Sequence, residues 1–239
     1  LVRFVHPKLG LQVEGNLSGS SIEAAGETFF LEDVRLLPPC VPTKIICVGR
    51  NYVDHAKELG NTVPEKPLLF LKPPSAVIGP EDTILLPSSE EVHYEAELAV
   101  VIGKRCKDVP AADAANVIIG YTCMNDVSDR VAQRWETNWI RAKAFDTSAP
   151  LGPMILTPDE AHEPFHITLR LNGEIKQDGL TSDLYFSIPV LIETISRIMT
   201  LEPGDVIATG TPAGVGPLNR GDVVEVAIDG IGILRNPVQ

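Results

Sequence analysis

The segment VHYEAELAVVIGK, residues 92–104, constrains the fold more than any other stretch of the chain. Apolar residues occupy every second position of its central part: Tyr94, Ala96, Leu98, Val100 and Ile102. This period of two predicts a β-strand over 92–102 with one wholly apolar face. Its last residues are apolar on both faces, which is typical of a central strand. The chain is therefore predicted to be built around a buried β-sheet.

Two glutamates, Glu95 and Glu97, interrupt the second face of this predicted strand. On a strand they point to the same side, with Cα atoms roughly 6.6 Å apart. Two ionised carboxylates on a partly buried face repel each other and lose hydration, which costs several kcal/mol unless a cation compensates. One alternative is a solvent-facing strand edge with both carboxylates in water. Because the strand is predicted to be central, a bound divalent cation is the favoured interpretation.

A third oxygen ligand is predicted at Asp126, where the strand-like run VIIGYTCMN ends and a polar helical stretch begins. An aspartate at such a junction can also serve only as a helix N-cap. Together with Glu95 and Glu97 it becomes a candidate ligand. Three carboxylates without cysteine favour a hard, octahedral ion such as Mg²⁺ or Mn²⁺ over zinc.

The composition narrows the class of protein. The chain has 239 residues, 44% of them hydrophobic and 22% charged, which suits one large domain or one domain with a small appendage. Its net charge of −12 argues against nucleic-acid binding, since phosphate recognition needs clustered Lys and Arg.

No apolar run approaches the length of about 20 residues that spans a bilayer, and no leader is recognisable. Four widely spaced cysteines favour reduced thiols and a cytoplasmic location.

The pattern along the chain predicts a mixed α/β, β-rich fold in two parts. Residues 1–43 form a small β-rich N-terminal segment, and residues 44–239 form one continuous domain. Strands are predicted at 44–48, 68–71, 84–86, 92–102, 117–123, 166–171, 205–209 and 223–228. Helices are predicted at 52–59, 110–116, 127–137 and 188–199.

Several segments, read in order, resemble the fumarylacetoacetate hydrolase family. They are KIICVGRNYVDHAKELG, PLLFLKPPSAVIGP, VHYEAELAVVIG, MNDVSDR, RAKAFDTSAPLGP, NGEIKQDG, LEPGDVIATGTPAGVGP and GDVVEVAIDGIGILRNPV. The resemblance covers residues 44–239 and implies a β-sandwich roll that is usually a homodimer. It also implies that Glu95, Glu97 and Asp126 hold one Mg²⁺ or Mn²⁺.

Three catalytic residues are expected: His55, Glu58 and Lys143. His55 and Glu58 lie three residues apart and share a face if the segment is helical, so the carboxylate can orient the imidazole. Such a pair is often only a surface pair, and a lysine is usually solvated. The family resemblance implies instead that the His–Glu dyad activates water or moves a proton, and that Lys143 stabilises an enolate or oxyanion beside the metal.

Four further residues are expected to contact the substrate. The resemblance places Arg130 and Gln133 near the metal, although Asp129 and Val131 depart from the usual family sequence there. The glycine-rich ATGTPAGVGP, 208–217, lacks the ending of a phosphate-binding P-loop. Its backbone and Thr209 or Thr211 could approach a substrate carboxylate, and pure turn chemistry is an equal alternative. Lys72 and Ser75 are also family-like, but could serve only the shape of their loop.

The resemblance implies a metal-dependent enzyme that acts on small anionic 2-oxo acids or their enols. C–C hydrolysis of the acylpyruvate or fumarylpyruvate type and 2-hydroxyhepta-2,4-diene-1,7-dioate isomerisation or decarboxylation in aromatic catabolism are the first expectations. An oxaloacetate decarboxylase or tautomerase is the alternative, and a metal-stabilised scaffold without catalysis is a remote one. The sequence does not select among these reactions, because the shape of the loops determines which substrate tail fits.

Overall fold

The computed structural model describes residues 1–58 and 60–239, and strands dominate it. The mixed α/β, β-rich architecture is therefore confirmed. No helix in the described part of the chain is both long and apolar enough to cross a bilayer.

The first five strands form a sheet of their own. They are β1 (Val2–Val5), β2 (Gln12–Ser18), β3 (Ser21–Ala24), β4 (Glu27–Phe30) and, after a 3₁₀ turn at Leu31–Asp33, β5 (Arg35–Leu37). Their order is β4-β3-β2-β1-β5, with antiparallel pairing throughout. A small core around Phe4 and Ile22 also contacts Met154 of the larger part. The segment is β-rich as expected, and a domain boundary at residue 43 stays a prediction.

The rest of the chain contributes fourteen strands and four α-helices to the described structure. In chain order they are β6 (Ile45–Gly49), α1 (Val53–Glu58), β7 (Leu68–Lys72), β8 (Val77–Ile78), β9 (Val92–Tyr94), β10 (Ala96–Ile102), β11 (Ile118–Asn125), β12 (Ser128–Asp129), α2 (Arg130–Trp135), α3 (Ile140–Lys143), β13 (Ala149–Leu156), β14 (His166–Leu171), β15 (Glu174–Leu180), α4 (Ile188–Ile198), β16 (Val206–Ala208), β17 (Gly216–Pro217), β18 (Val223–Ile228) and β19 (Gly232–Pro237). Short 3₁₀ helices span Pro74–Ala76, Ala111–Val117 and Thr181–Asp183.

These strands form three sheets that enclose the main core. A seven-stranded sheet has the order β7-β6-β16-β10-β11-β13-β8, and a four-stranded antiparallel sheet has the order β15-β14-β18-β19. The apolar face of β10 packs against the four-stranded sheet, where Leu98 and Val100 join Ile167 and Val226 in one buried cluster. The opposite face of β10 meets β6 and β13 in a second cluster. Strand β10 is thus buried on both faces, as predicted.

The predicted strand 92–102 is interrupted at Glu95, which separates β9 from β10. The backbone N–H of Glu95 donates to the side-chain Oδ1 of Asn125 instead of to a strand partner. Strand β9 leaves the large sheet and pairs with β12 and β17 in a small three-stranded sheet. The interruption lies at one of the predicted metal ligands.

Other predicted elements differ at their limits. The segment 84–86, predicted as a strand, makes only an isolated bridge at Ile84. The helix predicted at 110–116 is a 3₁₀ helix at Ala111–Val117. The helix predicted at 127–137 begins only at Arg130, because the preceding residues form β12 and Asp129 caps the helix through Ala132 N–H. The helix predicted at 52–59 is α1, and position 59 lies outside the described residues. The longer strands β13, β15 and β19 and the two-residue strands β8, β12 and β17 were not predicted.

Candidate metal centre and active site

The three carboxylates predicted as metal ligands come together at the end of the β10–β11 pair. These strands are antiparallel, with Ala96 opposite Asn125, so the residues just outside this pair, Glu95 and Asp126, become neighbours. The N–H of Asp126 donates to Glu95 O at 2.8 Å. One carboxylate oxygen from each of Glu95, Glu97 and Asp126 lies within 4.8 Å of the others, and all three side chains are buried.

Two of the predicted cationic residues contact this cluster directly. Lys143 Nζ donates to Glu95 Oε2 and to Asp126 Oδ2, both at 2.7 Å, and to Ser128 Oγ at 2.5 Å. Arg130 Nη2 donates to the other oxygen of Glu95, Oε1, at 2.6 Å. Arg130 begins α2 and Lys143 ends α3, so the two short helices that follow β12 bring both cations to the carboxylates.

Lys72 is a third cation of the cluster. Its side chain is fully buried, and Nζ lies 2.8 Å from Asp126 Oδ1 in an ion pair without hydrogen-bond geometry. Nζ also donates to three backbone oxygens, those of Val127, Lys143 and Ser148. From the sequence, Lys72 is family-like but could serve only the shape of its loop. In the structure it ties β7 to the aspartate of the candidate metal site.

The two glutamates have opposite electrostatic surroundings. Burial alone would raise the pKa of Glu95, but Lys143 and Arg130 lower that pKa well below its ordinary value. Burial, reinforced by repulsion from Asp126 and Glu95, raises the pKa of Glu97 well above its ordinary value. The backbone N–H of Gly210 donates to Glu97 Oε2 at 2.8 Å. In the part of the chain that the structure describes, Glu97 lacks the direct cation contact that the other two carboxylates have.

This donor set fits a hard divalent cation. Three buried carboxylate oxygens converge, and Glu97 needs a positive charge that no side chain within residues 1–58 and 60–239 supplies by direct contact. Oxygen-only ligation of this kind suits Mg²⁺ or Mn²⁺. Glu95, Glu97 and Asp126 are the residues that would hold such an ion.

The His55–Glu58 pair lies on α1 beside the cluster. His55 Nδ1 is 3.4 Å from Glu58 Oε2, a long contact. Glu58 is anchored in turn, because both of its oxygens accept from the N–H of Gly214, at 3.1 and 3.2 Å. Burial lowers the pKa of His55, while the nearby Glu95 and the contact with Glu58 oppose this shift. The imidazole is therefore neutral at neutral pH and able to accept a proton.

The two threonines of the glycine-rich loop have different environments. The Thr209 hydroxyl donates to Leu98 O at 2.9 Å, so it joins this loop to β10 and does not line the cavity beside the carboxylates. Thr211 does line that cavity, and its hydroxyl accepts from Gln177 Nε2 at 2.7 Å. Gln177 is a buried residue that the sequence analysis missed. Its Oε1 also accepts from Ala96 N–H, so it fixes the start of β10 as well as the loop.

The carboxylates lie in a cavity of 570 Å³, a size that accommodates a small organic acid. Gln133 lines this cavity and accepts from Arg130 Nη1 at 2.8 Å. Seven of the predicted functional side chains also line it: His55, Glu95, Glu97, Asp126, Arg130, Lys143 and Thr211. The structure thus brings eight of the ten predicted site residues into the lining of one cavity, and Glu58 and Thr209 do not line it.

Known proteins resemble this chain over most of its length. The family model of the fumarylacetoacetate (FAA) hydrolase C-terminal region matches residues 44–239. A human mitochondrial oxaloacetate tautomerase is 43% identical over 215 residues, which cover 85% of this chain and 68% of the relative.

Two solved structures are also similar over almost the whole chain. A 5-carboxymethyl-2-hydroxymuconate delta-isomerase from Mycobacterium smegmatis has a TM-score of 0.90 at 46% identity, covering 100% of this chain and 97% of that one. A maleylpyruvate hydrolase from Sphingobium sp. SYK-6, solved with manganese(II) and pyruvate, has a TM-score of 0.84 at 33% identity, covering 99% and 98%. On this sequence and structural similarity, the chain belongs to the fumarylacetoacetate hydrolase family.

Proposed function

We propose that the protein is a divalent-metal-dependent enzyme that acts on small 2-oxo acids or their enols. The observation that carries the proposal is the convergence of Glu95, Glu97 and Asp126 at a cavity that also contains Lys143 and His55. Carboxylate ligands, a buried ammonium and a neutral imidazole are together the groups needed to bind an oxyanion and move a proton. The relatives named above act on, or were solved with, compounds of this kind.

The charge balance of the cluster supports an anionic substrate. Three carboxylates are matched by three buried or nearly buried cations, Lys72, Lys143 and Arg130. A divalent ion bound to the carboxylates therefore leaves the cluster with a surplus of positive charge. A 2-oxo acid offers a carboxylate and a carbonyl oxygen that this surplus attracts, and the attraction grows as the carbonyl becomes an enolate.

Each residue of the cavity has a role in this proposal. The metal, when bound to the three carboxylates, supplies a Lewis acid for the developing enolate charge. Lys143 remains a cation: burial lowers the pKa of its ammonium, but Asp126 and Glu95 raise it above its ordinary value. His55 accepts and returns the proton, and Glu58, held by Gly214, orients its ring. General acid–base help of this kind contributes about 10²–10⁴-fold to a rate.

Isomerisation or tautomerisation is the first candidate reaction, because the relatives that are 43% and 46% identical are a tautomerase and an isomerase. Decarboxylation would use the same enolate stabilisation. Hydrolysis of a C–C bond is the second candidate, favoured by the similarity to maleylpyruvate hydrolase. In that reaction His55 would take the proton from the attacking water.

The test is a panel of oxaloacetate, acetylpyruvate, fumarylpyruvate and 5-carboxymethyl-2-hydroxymuconate, each with Mg²⁺, with Mn²⁺ and with excess EDTA. Loss of enol absorbance without release of pyruvate indicates tautomerisation, and release of pyruvate from an acylpyruvate indicates hydrolysis. We expect turnover of at least one compound, with full dependence on the metal. Undiminished turnover in EDTA would contradict the proposal.

We also propose, on family resemblance alone, that the protein is a homodimer, which light scattering over a dilution series checks. A cytoplasmic location stays a prediction.

A further inference from the structure

In the described part of the chain, four lysine and arginine residues line the cavity, and three of them already have carboxylate partners. Lys143 and Arg130 are paired with the metal-site carboxylates, and Arg134 Nη1 lies 2.8 Å from Glu91 Oε2. The fourth is Arg50. Within residues 1–58 and 60–239 its guanidinium makes no hydrogen bond or ion pair. A partly buried, unpaired guanidinium offers a fork of donors that matches a carboxylate.

The backbone of Arg50 is in a conformation that costs energy. Its φ is +59°, in the left-handed region that side chains other than glycine rarely adopt. The next residue, Asn51, holds the segment in place. Its Nδ2 donates to Phe186 O and Thr209 O, its Oδ1 accepts from Phe186 N–H, and its backbone O accepts from Tyr185 N–H. Strain maintained by surrounding contacts at a cavity indicates a functional position.

An aromatic wall joins the metal end of the cavity to the segment that carries Arg50. Lys143 Nζ lies 4.9 Å from the centre of the Phe70 ring, and that ring packs edge-on against Trp139 with centroids 5.5 Å apart. Trp139 in turn lies beside the backbone next to Arg50, since a Cβ placed on Gly49 would be 3.5 Å from Trp139 Cζ3. A carbon chain extended along this wall would therefore pass from Lys143 towards Arg50.

We infer that Arg50 binds the distal carboxylate of a 2-oxo diacid and so selects diacids over 2-oxo monoacids. The inference rests on the proposed function for the 2-oxo acid end of the substrate and concerns only the opposite end. The apolar part of the substrate lies against Phe70 and Trp139, and the second carboxylate pairs with the Arg50 guanidinium, for which the described residues supply no partner.

The test compares matched ligands that differ only in the distal carboxylate. 2-Oxoglutarate is paired with 2-oxopentanoate, and 2-oxoadipate with 2-oxohexanoate, by calorimetry on the Mn²⁺-loaded full chain. For at least one pair the parent protein is expected to bind the diacid about 10- to 100-fold more tightly, as a charge-assisted contact provides. In Arg50→Gln this ratio is expected to fall close to one. Affinity for pyruvate, which has no distal group, should change by less than about threefold.

Two further variants control for folding and for charge. Arg50→Asn also removes the charge, and asparagine tolerates the left-handed backbone better than most residues, so it should give the same loss of preference. Arg134→Gln removes a cavity arginine that already has a partner, and it should leave the diacid preference intact.

Each outcome decides the inference. The inference is wrong if the parent binds pyruvate but prefers neither diacid to its matched monoacid. It is also wrong if the preference for the diacid survives in both Arg50 variants, or if it disappears in Arg134→Gln. A parent that binds no 2-oxo acid at all contradicts the proposed function instead.

Discussion

Replacement of Lys72 by methionine tests the electrostatic design of the metal site. The substitution keeps an unbranched, apolar side chain of similar length and removes the buried ammonium. It leaves Asp126 Oδ1 without the cation that lies 2.8 Å away, and it removes one donor from each of three backbone carbonyls. Asp126 retains Lys143 on its other oxygen.

The size of the effect follows from these contacts. Two of the three carbonyls keep a second donor, because Ser148 Oγ also donates to Lys143 O and Val127 N–H also donates to Ser148 O. The lost carbonyl bonds therefore matter less than the broken ion pair. Removal of one partner from a buried ion pair costs about 3–5 kcal/mol, because the other charge stays buried. We expect the free energy of unfolding of Lys72→Met to fall by about that amount in EDTA.

Urea unfolding in EDTA and in saturating Mn²⁺ is the assay. Because a bound cation compensates Asp126, the destabilisation should be smaller with metal than without it. Lys57→Met is the matched control, since Lys57 is 71% exposed and its pair with Asp54 spans 3.2 Å, so its loss should cost less than about 1 kcal/mol. Equal urea midpoints for Lys72→Met and the parent in EDTA would refute the reasoning.

Three further predictions concern the cavity and the glycine-rich loop beside it. Glu97→Gln should abolish Mn²⁺ binding in calorimetry. Because the folded-state pKa of Glu97 is raised above 4.5, the free energy of unfolding of the metal-free parent should fall as the pH rises from that value. The variant should lack this fall when urea midpoints at about pH 5 and pH 8 are compared. His55→Gln should lower kcat by about 10²–10⁴-fold and leave pyruvate affinity unchanged, and near-normal turnover would exclude the histidine as the base. Gly214→Ala should lower the free energy of unfolding by about 2–4 kcal/mol, because φ is +101° and the new Cβ would lie 2.1 Å from a backbone oxygen; a parent-like urea midpoint would contradict this.

The periodicity of residues 92–102 was enough to predict the buried strand β10, but not the interruption at Glu95. Alternation reports which face of a strand is apolar, and β10 does pack its apolar face on the second sheet. The interruption depends on a bond from the Glu95 N–H to the Asn125 side chain, 30 residues away. No local pattern contains that contact.

Strand β13 was missed for a similar reason. It contains Pro150 and the cis Gly152–Pro153 bond, and both residue types normally indicate turns. The segment is nevertheless extended, because β11 pairs with it on one side and β8 on the other. Tertiary pairing here overrides local preference.

Residues of the candidate site could be predicted where a local sequence pattern marks them. They could not be predicted where their role depends on the direction of a side chain in the fold. The carboxylates at 95 and 97 could be proposed from the period of the strand, and the one at 126 from its place where a strand-like run ends. Thr209 and Thr211 could not be distinguished, because one hydroxyl faces β10 and the other faces the cavity. Lys72 was underrated because its ion-pair partner is distant in sequence, at Asp126.

The arrangement of cations explains why a metal would be needed to neutralise the site and not to hold its side chains in position. Lys72 and Lys143 compensate Asp126 from two sides, and Lys143 with Arg130 compensates Glu95. Among the residues described by the structure, Glu97 has only the backbone N–H of Gly210 as a direct donor. Most of the site is therefore held in place by protein contacts, while one ligand carries the unfavourable charge. A cation bound to Glu97 would relieve the repulsion on this carboxylate and would also make the cavity attractive to an anion. Glu97 would therefore couple metal binding to substrate binding.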